Sequence, residues 1–344
     1  MKVTAKMIAE ELDISTATVD RVLNNRKGVS QKTIRKVKLK AEEMGYKPNK
    51  AAKFLSTQKT MTVLFILQVI PDYFWGEIER EIRKTALLFE DFGFKVEVAR
   101  VSSTEQKIQI AYFENVIEEN EYDAIVIAPY DSKPFIASIN KAINRGIPVF
   151  SLNNDVPESQ RISFVGSDYY DAGYLAAELI SMFSKELKKV VIVREDEETF
   201  QMIRKERGFR AYFQDHHLDV EIITLPVVSS YTNPLLFTNT QVFVGADGVY
   251  IANGILGEAG TFFKECSMPR PPFIVGHDIS ETIHEHLQQN VIQATICQDP
   301  SSQAATAVKK VFDYLHSGDK GAEKDTIVKL EIVTKTNAKY YLHR

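Results

Sequence analysis

The chain has 344 residues, 44% apolar and 26% charged, which is enough to bury more than one core and sets a prior of two or three domains. Its two cysteines, Cys266 and Cys297, exclude a disulfide framework and a cysteine-based zinc site and fit a reducing compartment. The net charge of −4 hides an asymmetry: residues 1–60 hold 14 Lys/Arg against 6 Asp/Glu, and the remainder holds 28 against 40. A basic head on an acidic body points to an anionic polymer as the partner of the head alone. The opening M-K-V-T-A-K-M lacks the apolar core of a signal peptide. No apolar run approaches the roughly 20 residues of a membrane span, so the expectation is a soluble, cytoplasmic protein without a membrane partner.

In chain order, the first predicted element is a helix over Ala5 to Leu12, with Thr4 as its cap and Ile8, Ala9 and Leu12 facing inward. A turn follows at Asp13 to Ser15, where Asp tolerates the left-handed backbone less well than Gly. Ser15 then caps a second helix on which Val19, Val22 and Leu23 recur at helical spacing. Thr16, Ala17, Asp20 and Arg21 occupy its other face, where they can meet base edges in a major groove. N-N-R-K-G is a turn signal, and Ser30 caps a third helix with Ile34, Val37 and Ala41 inward. Gly45 ends that helix and Pro48 prevents its continuation. Three short helices with a short turn between the first two make a helix-turn-helix module, expected over residues 1–46.

The run V-T-A-K-M-I-A-E-E-L-D-I-S-T-A-T-V-D-R-V-L-N-N, then V-S-Q-K-T, then E-M-G-Y-K-P-N-K-A-A-K-F-L resembles the DNA-binding head and hinge of the LacI/GalR repressor family over about sixty residues. The resemblance implies that Thr16, Ala17 and Arg21 read the major groove. It extends the DNA-contacting set to Thr4, Ser15, Thr18, Asn24, Ser30, Tyr46, Asn49 and Ala52. It also implies that Asn49 to Ser56, within a hinge over 47–60, becomes a short helix on DNA with Leu55 wedged into the minor groove. An isolated helix of that length is marginal in water, so it is expected to form only when DNA and a partner chain hold it. Two residues depart from the family pattern: Asp13, where Gly is usual, and Asp20, where Ser is common. An Asp20 carboxylate repels phosphate, accepts from a cytosine amino group, or pairs with Arg21 or Lys6, so operator sequence does not transfer.

From Met61 the pattern changes to strands alternating with amphipathic helices. T-V-L-F-I-L predicts a strand and Ile78 to Phe89 a helix that stops before Gly93; V-E-V-A-R-V, a helix to Glu119, D-A-I-V-I-A-P, a helix to Arg145 and I-P-V-F-S-L follow. The rhythm resumes in K-V-V-I-V, V-E-I-I-T-L, G-V-Y-I-A and P-F-I-V-G. Short continuous apolar strands between helices predict parallel sheets covered on both faces, here two doubly wound lobes of α/β class. The expected division is one lobe over about 61–167 and 299–326 and another over about 168–298 and 327–344.

This body resembles the type I periplasmic binding-protein fold that the LacI/GalR family carries as its effector domain, and is most similar to the ribose-binding branch. In open α/β sheets ligands sit beyond the carboxyl ends of the strands. Together with the resemblance, that rule selects Asp72, Phe74 and Trp75 after the first strand, and Asn153 and Asn154 after I-P-V-F-S-L. It also selects Asn253, Asp278 and Gln298 after three later strands, with Lys205 or Arg204 as a basic ligand. Phe74 and Trp75 stand where sugar binders stack rings on a sugar face; Asn153 and Asn154 stand where those proteins often have Asp and Arg. Amides, carboxylates, one base and two rings suit a small sugar or polyol in a mostly preformed cleft. The same residue types also have plain structural uses, as helix caps, turn formers and core aromatics.

Gly254, Gly257 and Gly260 lack the spacing of a dinucleotide loop and read better as a close helix contact. His277, His284 and His286 have no second cluster to complete a metal site, and positions two apart on a helix face different ways. Neither a G-x-S-x-G elbow nor a P-loop occurs in the sequence. The reading is a repressor without catalytic residues, metal or cofactor. It reads a near-palindromic double-stranded operator as a homodimer, and a sugar or polyol held between the lobes controls it.

Overall fold

The computed structural model describes residues 3–23, 27–46, 60–102, 106–183, 186–195, 199–227, 240–266, 268–317 and 325–342. Its contacts divide the chain into two compact units, Met1–Lys59 and Thr60–Arg344.

The first unit holds α1 (Ala5–Leu12), α2 (Thr16–Leu23) and α3 (Gln31–Glu43). Its core is Ile8, Ala9, Leu12, Val19, Val22, Val37 and Ala41, the inward positions read from the 3.6-residue period. Each helix start is capped by a hydroxyl. Thr4 Oγ1 accepts from Met7 N at 3.3 Å, Ser15 Oγ from Thr18 N at 3.1 Å, and Ser30 Oγ from Thr33 N at 3.2 Å. Asp13 takes the left-handed conformation at φ 52°, and Ile14 N reaches back to Ala9 O at 3.1 Å, so an Asp performs the stop that Gly usually makes. Gly45 does the same at φ 66° after α3, where Tyr46 N donates to Ala41 O at 2.8 Å.

The second unit contains two six-stranded sheets. One has the order β11-β5-β4-β3-β1-β2, built from β1 (Met61–Gln68), β2 (Phe94–Val101), β3 (Ala124–Ile127), β4 (Val149–Leu152), β5 (Phe164–Gly166) and β11 (Asp325–Ile327). All of its pairings are parallel. The other has the order β12-β10-β9-β8-β6-β7, built from β6 (Lys189–Glu195), β7 (Glu221–Val227), β8 (Gly248–Ile251), β9 (Phe273–His277), β10 (Ala294–Cys297) and β12 (Glu331–Val333). Here only the β10–β12 pair is antiparallel. The chain therefore passes between the sheets three times: after β5, after β10 and after β11.

The helices are α4 (Asp72–Leu87), α5 (Gln106–Glu119), α6 (Phe135–Asn144), α7 (Tyr169–Phe183), α8 (Phe200–Asp215), α9 (Leu256–Glu265), α10 (Glu281–Gln288) and α11 (Pro300–Ser317). Separate apolar cores fill the two faces of the second sheet, as continuous apolar strands require. Gly260 of α9 lies against the His286 ring of α10, so the glycine spacing serves a helix contact.

Two features differ from the expectation. The helix after β1 begins at Asp72, not Ile78, so D-Y-F-W is its first turn instead of a loop. Pro71 supplies the start, since its fixed φ and missing N–H suit a helix entry. In addition β5, β11 and β12, each three residues long, carry no apolar run long enough to announce a strand. No helix among the described residues is long and apolar enough to cross a membrane.

Candidate functional site

On the head, Thr16, Ala17 and Arg21 are exposed on α2, opposite the buried Val19 and Val22. Ser15 and Thr18, expected at DNA, bond each other through their hydroxyls at 2.8 Å and hold the start of α2. Thr4 and Ser30 are exposed caps, so their helix N-termini also present backbone N–H groups suited to phosphate. Tyr46 is half-buried against the head core, and burial together with the Asp20 carboxylate pushes its phenol up. Asp20 thus lies beside Tyr46. Asn24, Asn49, Ala52 and Leu55 lie outside the described residues.

In the second unit, Asn253, Asp278 and Gln298 follow β8, β9 and β10, with β8 and β10 flanking β9 in the sheet, so their positions form one row. Gln298 Nε2 donates to Asp278 Oδ1 at 3.1 Å, while its Oε1 accepts from Ser167 Oγ at 2.8 Å. Burial pushes the Asp278 carboxyl up to about 6, against the opposing pull of Lys205 and the Gln298 amide. Lys205, on α8, is 1% exposed. Its Nζ donates to Ala252 O at 2.7 Å and lies 5.6 Å from the Tyr169 ring centre. Burial lowers it to about 8, while Asp278 and Glu195 hold it up.

Asn253 is 3% exposed, and neither atom of its amide has a hydrogen-bond partner. A buried polar group left so costs about 1–3 kcal/mol, and a ligand that both donates and accepts would remove that cost.

Asn153 and Asn154 sit at the end of β4. Asn154 Nδ2 donates to Pro129 O at 2.9 Å and its Oδ1 accepts from the Tyr169 hydroxyl at 2.9 Å, so both ends of this amide are committed to the protein. The Tyr169 hydroxyl also donates to the Asn153 carbonyl. Asn153 Nδ2 donates to Gln303 Oε1 at 3.2 Å, and Gln303 Nε2 donates to Gln298 O at 2.8 Å. This buried chain joins Asn153 of the first sheet to Gln298 and Asp278 of the second.

The wall from α4 differs from the expected one. Tyr73, Phe74 and Glu77 line a cleft together with Asp278, Ile279, Cys297, Asp299, Pro300, Glu331 and Tyr341. Trp75 is not among the residues that line it; it packs edge-to-face on Phe74 at 5.1 Å between ring centres. The Asp72 side chain is 87% exposed and pairs with Arg100 at 3.0 Å. Both changes follow from the early helix start, which turns successive side chains by about 100° and brings Tyr73, Phe74 and Glu77 to one face. Of the alternatives at 204 and 205, Lys205 is the buried one; Arg204 is part-exposed and lies 3.5 Å from Asp168.

Tyr73 Oη donates to Gly254 O at 3.4 Å and Phe200 N to Asp131 Oδ1 at 3.4 Å, each bond linking residues that follow strands of different sheets. Residues that the sequence did not single out therefore carry much of the site: Tyr73, Glu77, Tyr169, Gln303 and Glu331. The Y-Y pair in G-S-D-Y-Y follows β5, a strand too short to be read. Among the described residues no group of His, Cys, Asp and Glu has the geometry to hold a metal ion.

A helix-turn-helix is followed in the chain by a two-sheet unit with a polar cleft at its strand ends. The chain belongs to the family of the periplasmic binding protein domain, whose model matches residues 63–320, and its residues 4–49 match the model of the lacI family of bacterial regulatory proteins. It is 28% identical to the HTH-type transcriptional regulator DegA of Bacillus subtilis over 158 residues, 46% of this chain and 45% of DegA, so that match spans less than half the relative's own length. It is 25% identical to catabolite control protein A of Priestia megaterium, covering 81% of this chain and 83% of that protein. A solute-binding protein from Burkholderia graminis, solved with D-arabinose, superposes with a TM-score of 0.74 at 18% identity over 83% of this chain and 98% of its own. That likeness is one of fold.

Proposed function

We propose that the protein is a transcriptional repressor that binds a near-palindromic duplex as a homodimer and changes its DNA affinity when a small polyhydroxylated ligand occupies the cleft. Regulation of carbohydrate genes in the cytoplasm, without turnover of the ligand, completes the reading. The observation that carries it is the row Asn253, Asp278 and Gln298: an amide with no partner beside a half-buried carboxylate held by a second amide. Such a row offers donors and acceptors to several hydroxyls at once. Phe74 and Tyr73 supply the apolar wall. The lobes, bounded as about 61–167 with 299–326 and 168–298 with 327–344, close on the ligand, and the buried chain through Tyr169 and Gln303 supports coupling between them. A thermal-shift screen of monosaccharides and polyols tests this, because a ligand that binds only the folded state raises the melting temperature by mass action. Absence of any shift across the screen contradicts it.

Two further results are expected. Arg21→Ala should cost roughly 1–3 kcal/mol of specific DNA binding, the worth of a bidentate guanine contact. Unchanged affinity in a gel shift rules out that contact. Ligand affinity should also fall as pH drops through about 6, the Asp278 value. The sign follows from the chemistry: hydroxyls donate to the carboxylate form, so binding favours deprotonation and strengthens as pH rises through that value. Calorimetry at pH 5 and pH 7.5 measures this, and tighter binding at pH 5 would exclude Asp278 as the acceptor.

A further inference from the structure

We propose that the cleft selects a ligand carrying a positively charged amino group, an amino sugar or amino polyol, and that Glu331 is the residue that reads the charge. This deepens the sugar-binding reading above and rests on it. The residues lining the cleft include three rings, Tyr73, Phe74 and Tyr341, and four carboxylates, Glu77, Asp278, Asp299 and Glu331, with no Lys, Arg or His among them. Two of the carboxylates have structural duties. Asp299 caps α11, accepting from Ser302 N at 3.0 Å and Ser302 Oγ at 2.7 Å, and Glu77 accepts from Ser301 Oγ at 2.7 Å.

The other two are different. Asp278 takes its side-chain bonds from a single neutral amide, Gln298 Nε2. Glu331 accepts from Lys329 at 2.8 Å through Oε1, but its Oε2 is buried without a partner. These two flank Cys297, which stands opposite Glu331 in the β10–β12 pair. Burial and then the charges of Asp278, Glu331, Glu77 and Asp299 push the Cys297 thiol well up, so all four carboxylates act on one spot. Two bases offset part of this field: Lys329, paired with Glu331 Oε1 at 2.8 Å, and Lys205, buried and bonded to Ala252 O.

Carboxylates desolvated beside aromatic faces form the environment that an ammonium fits, through charge-assisted hydrogen bonds and cation–π contact. A neutral hydroxyl gains less there, and a phosphate or acid sugar is repelled. The unpartnered Asn253 amide, beside Gly254 that Tyr73 touches, supplies the neutral anchor for the rest of the sugar.

The test measures melting temperature and calorimetric affinity of the full chain with a panel of hexoses, their 2-amino counterparts and the matching hexuronic acids at pH 7. The expected result is that an amino sugar binds at least about tenfold tighter than its neutral parent. Glu331→Gln should bring the two near parity. Tighter binding of the neutral parent or the acid, or a preference unchanged in Glu331→Gln, overturns the amine assignment and leaves the sugar-binding reading standing. No binding by any member overturns both. A circular-dichroism melt of Glu331→Gln separates loss of preference from loss of fold, and Glu331→Asp should retain part of the preference.

Discussion

Asp278→Ala should abolish the effect of the ligand on DNA binding while leaving ligand-free DNA affinity within about twofold of the parent. The carboxyl is half-buried at the carboxyl end of β9, and its side chain bonds to Gln298 rather than to any core strand. Its removal leaves the Gln298 amide one partner short, yet Gln298 keeps its bond from Ser167 at 2.8 Å. Losing a charged partner of the ligand costs about 2–3 kcal/mol, or roughly thirty- to 150-fold in ligand affinity. The proposed DNA contacts lie on the other unit of the chain, so they should persist. A variant that keeps full ligand affinity would move the site elsewhere. Asp278→Asn separates charge from shape, because it preserves the size of the side chain and removes only the negative charge.

Gly173→Ala should unfold or badly loosen the second lobe. A Cβ at Gly173 would lie 1.9 Å from Lys205 O, and a Cβ at Gly208 would lie 1.9 Å from Tyr170 O. The two glycines therefore let α7 and α8 touch backbone to backbone. Neither clash involves the end of a flexible side chain, so the helices must separate. Overpacking of this kind costs about 1–3 kcal/mol and can exceed that when backbone must move. The same contact holds Lys205 in place under the Tyr169 ring, so ligand affinity should fall with stability. Gly257→Ala is the control: its nearest neighbouring atom would be at 3.5 Å, and in a helix Ala is the better former. The urea midpoint of the effector unit should drop for Gly173→Ala and hold or rise for Gly257→Ala. Equal midpoints for both would show that the close approach carries no weight.

Most of the fold was legible because local chemistry and burial pattern agreed. The caps Thr4, Ser15 and Ser30, and the inward positions Ile8, Val19 and Val37, depend on neighbours within one turn, which a sequence displays directly. The long central strands declared themselves as continuous apolar runs. Asn253, Asp278 and Gln298 could be picked out because each follows such a run. The remainder depended on contacts distant in sequence. Tyr169 gains its role from Asn153 and Asn154, and Gln303 gains its role from Asn153 and Gln298. Glu331 lies on a three-residue strand whose only cue is its antiparallel partner. The helix start at Asp72 was missed because D-Y-F-W favours neither a helix nor a loop strongly, and the preceding proline decides it. That shift of six residues exchanged Trp75 and Asp72 for Tyr73 and Glu77 in the cleft wall.

Under the proposed function, one chain couples ligand and DNA. The most direct test of this coupling is fluorescence anisotropy of the full chain on a duplex selected from a random pool, titrated with and without the sugar that gives the largest thermal shift. Saturating ligand should change duplex affinity at least fivefold in one direction, and the duplex should change ligand affinity by the same factor, as linkage requires. Identical duplex affinity with and without bound ligand would contradict it.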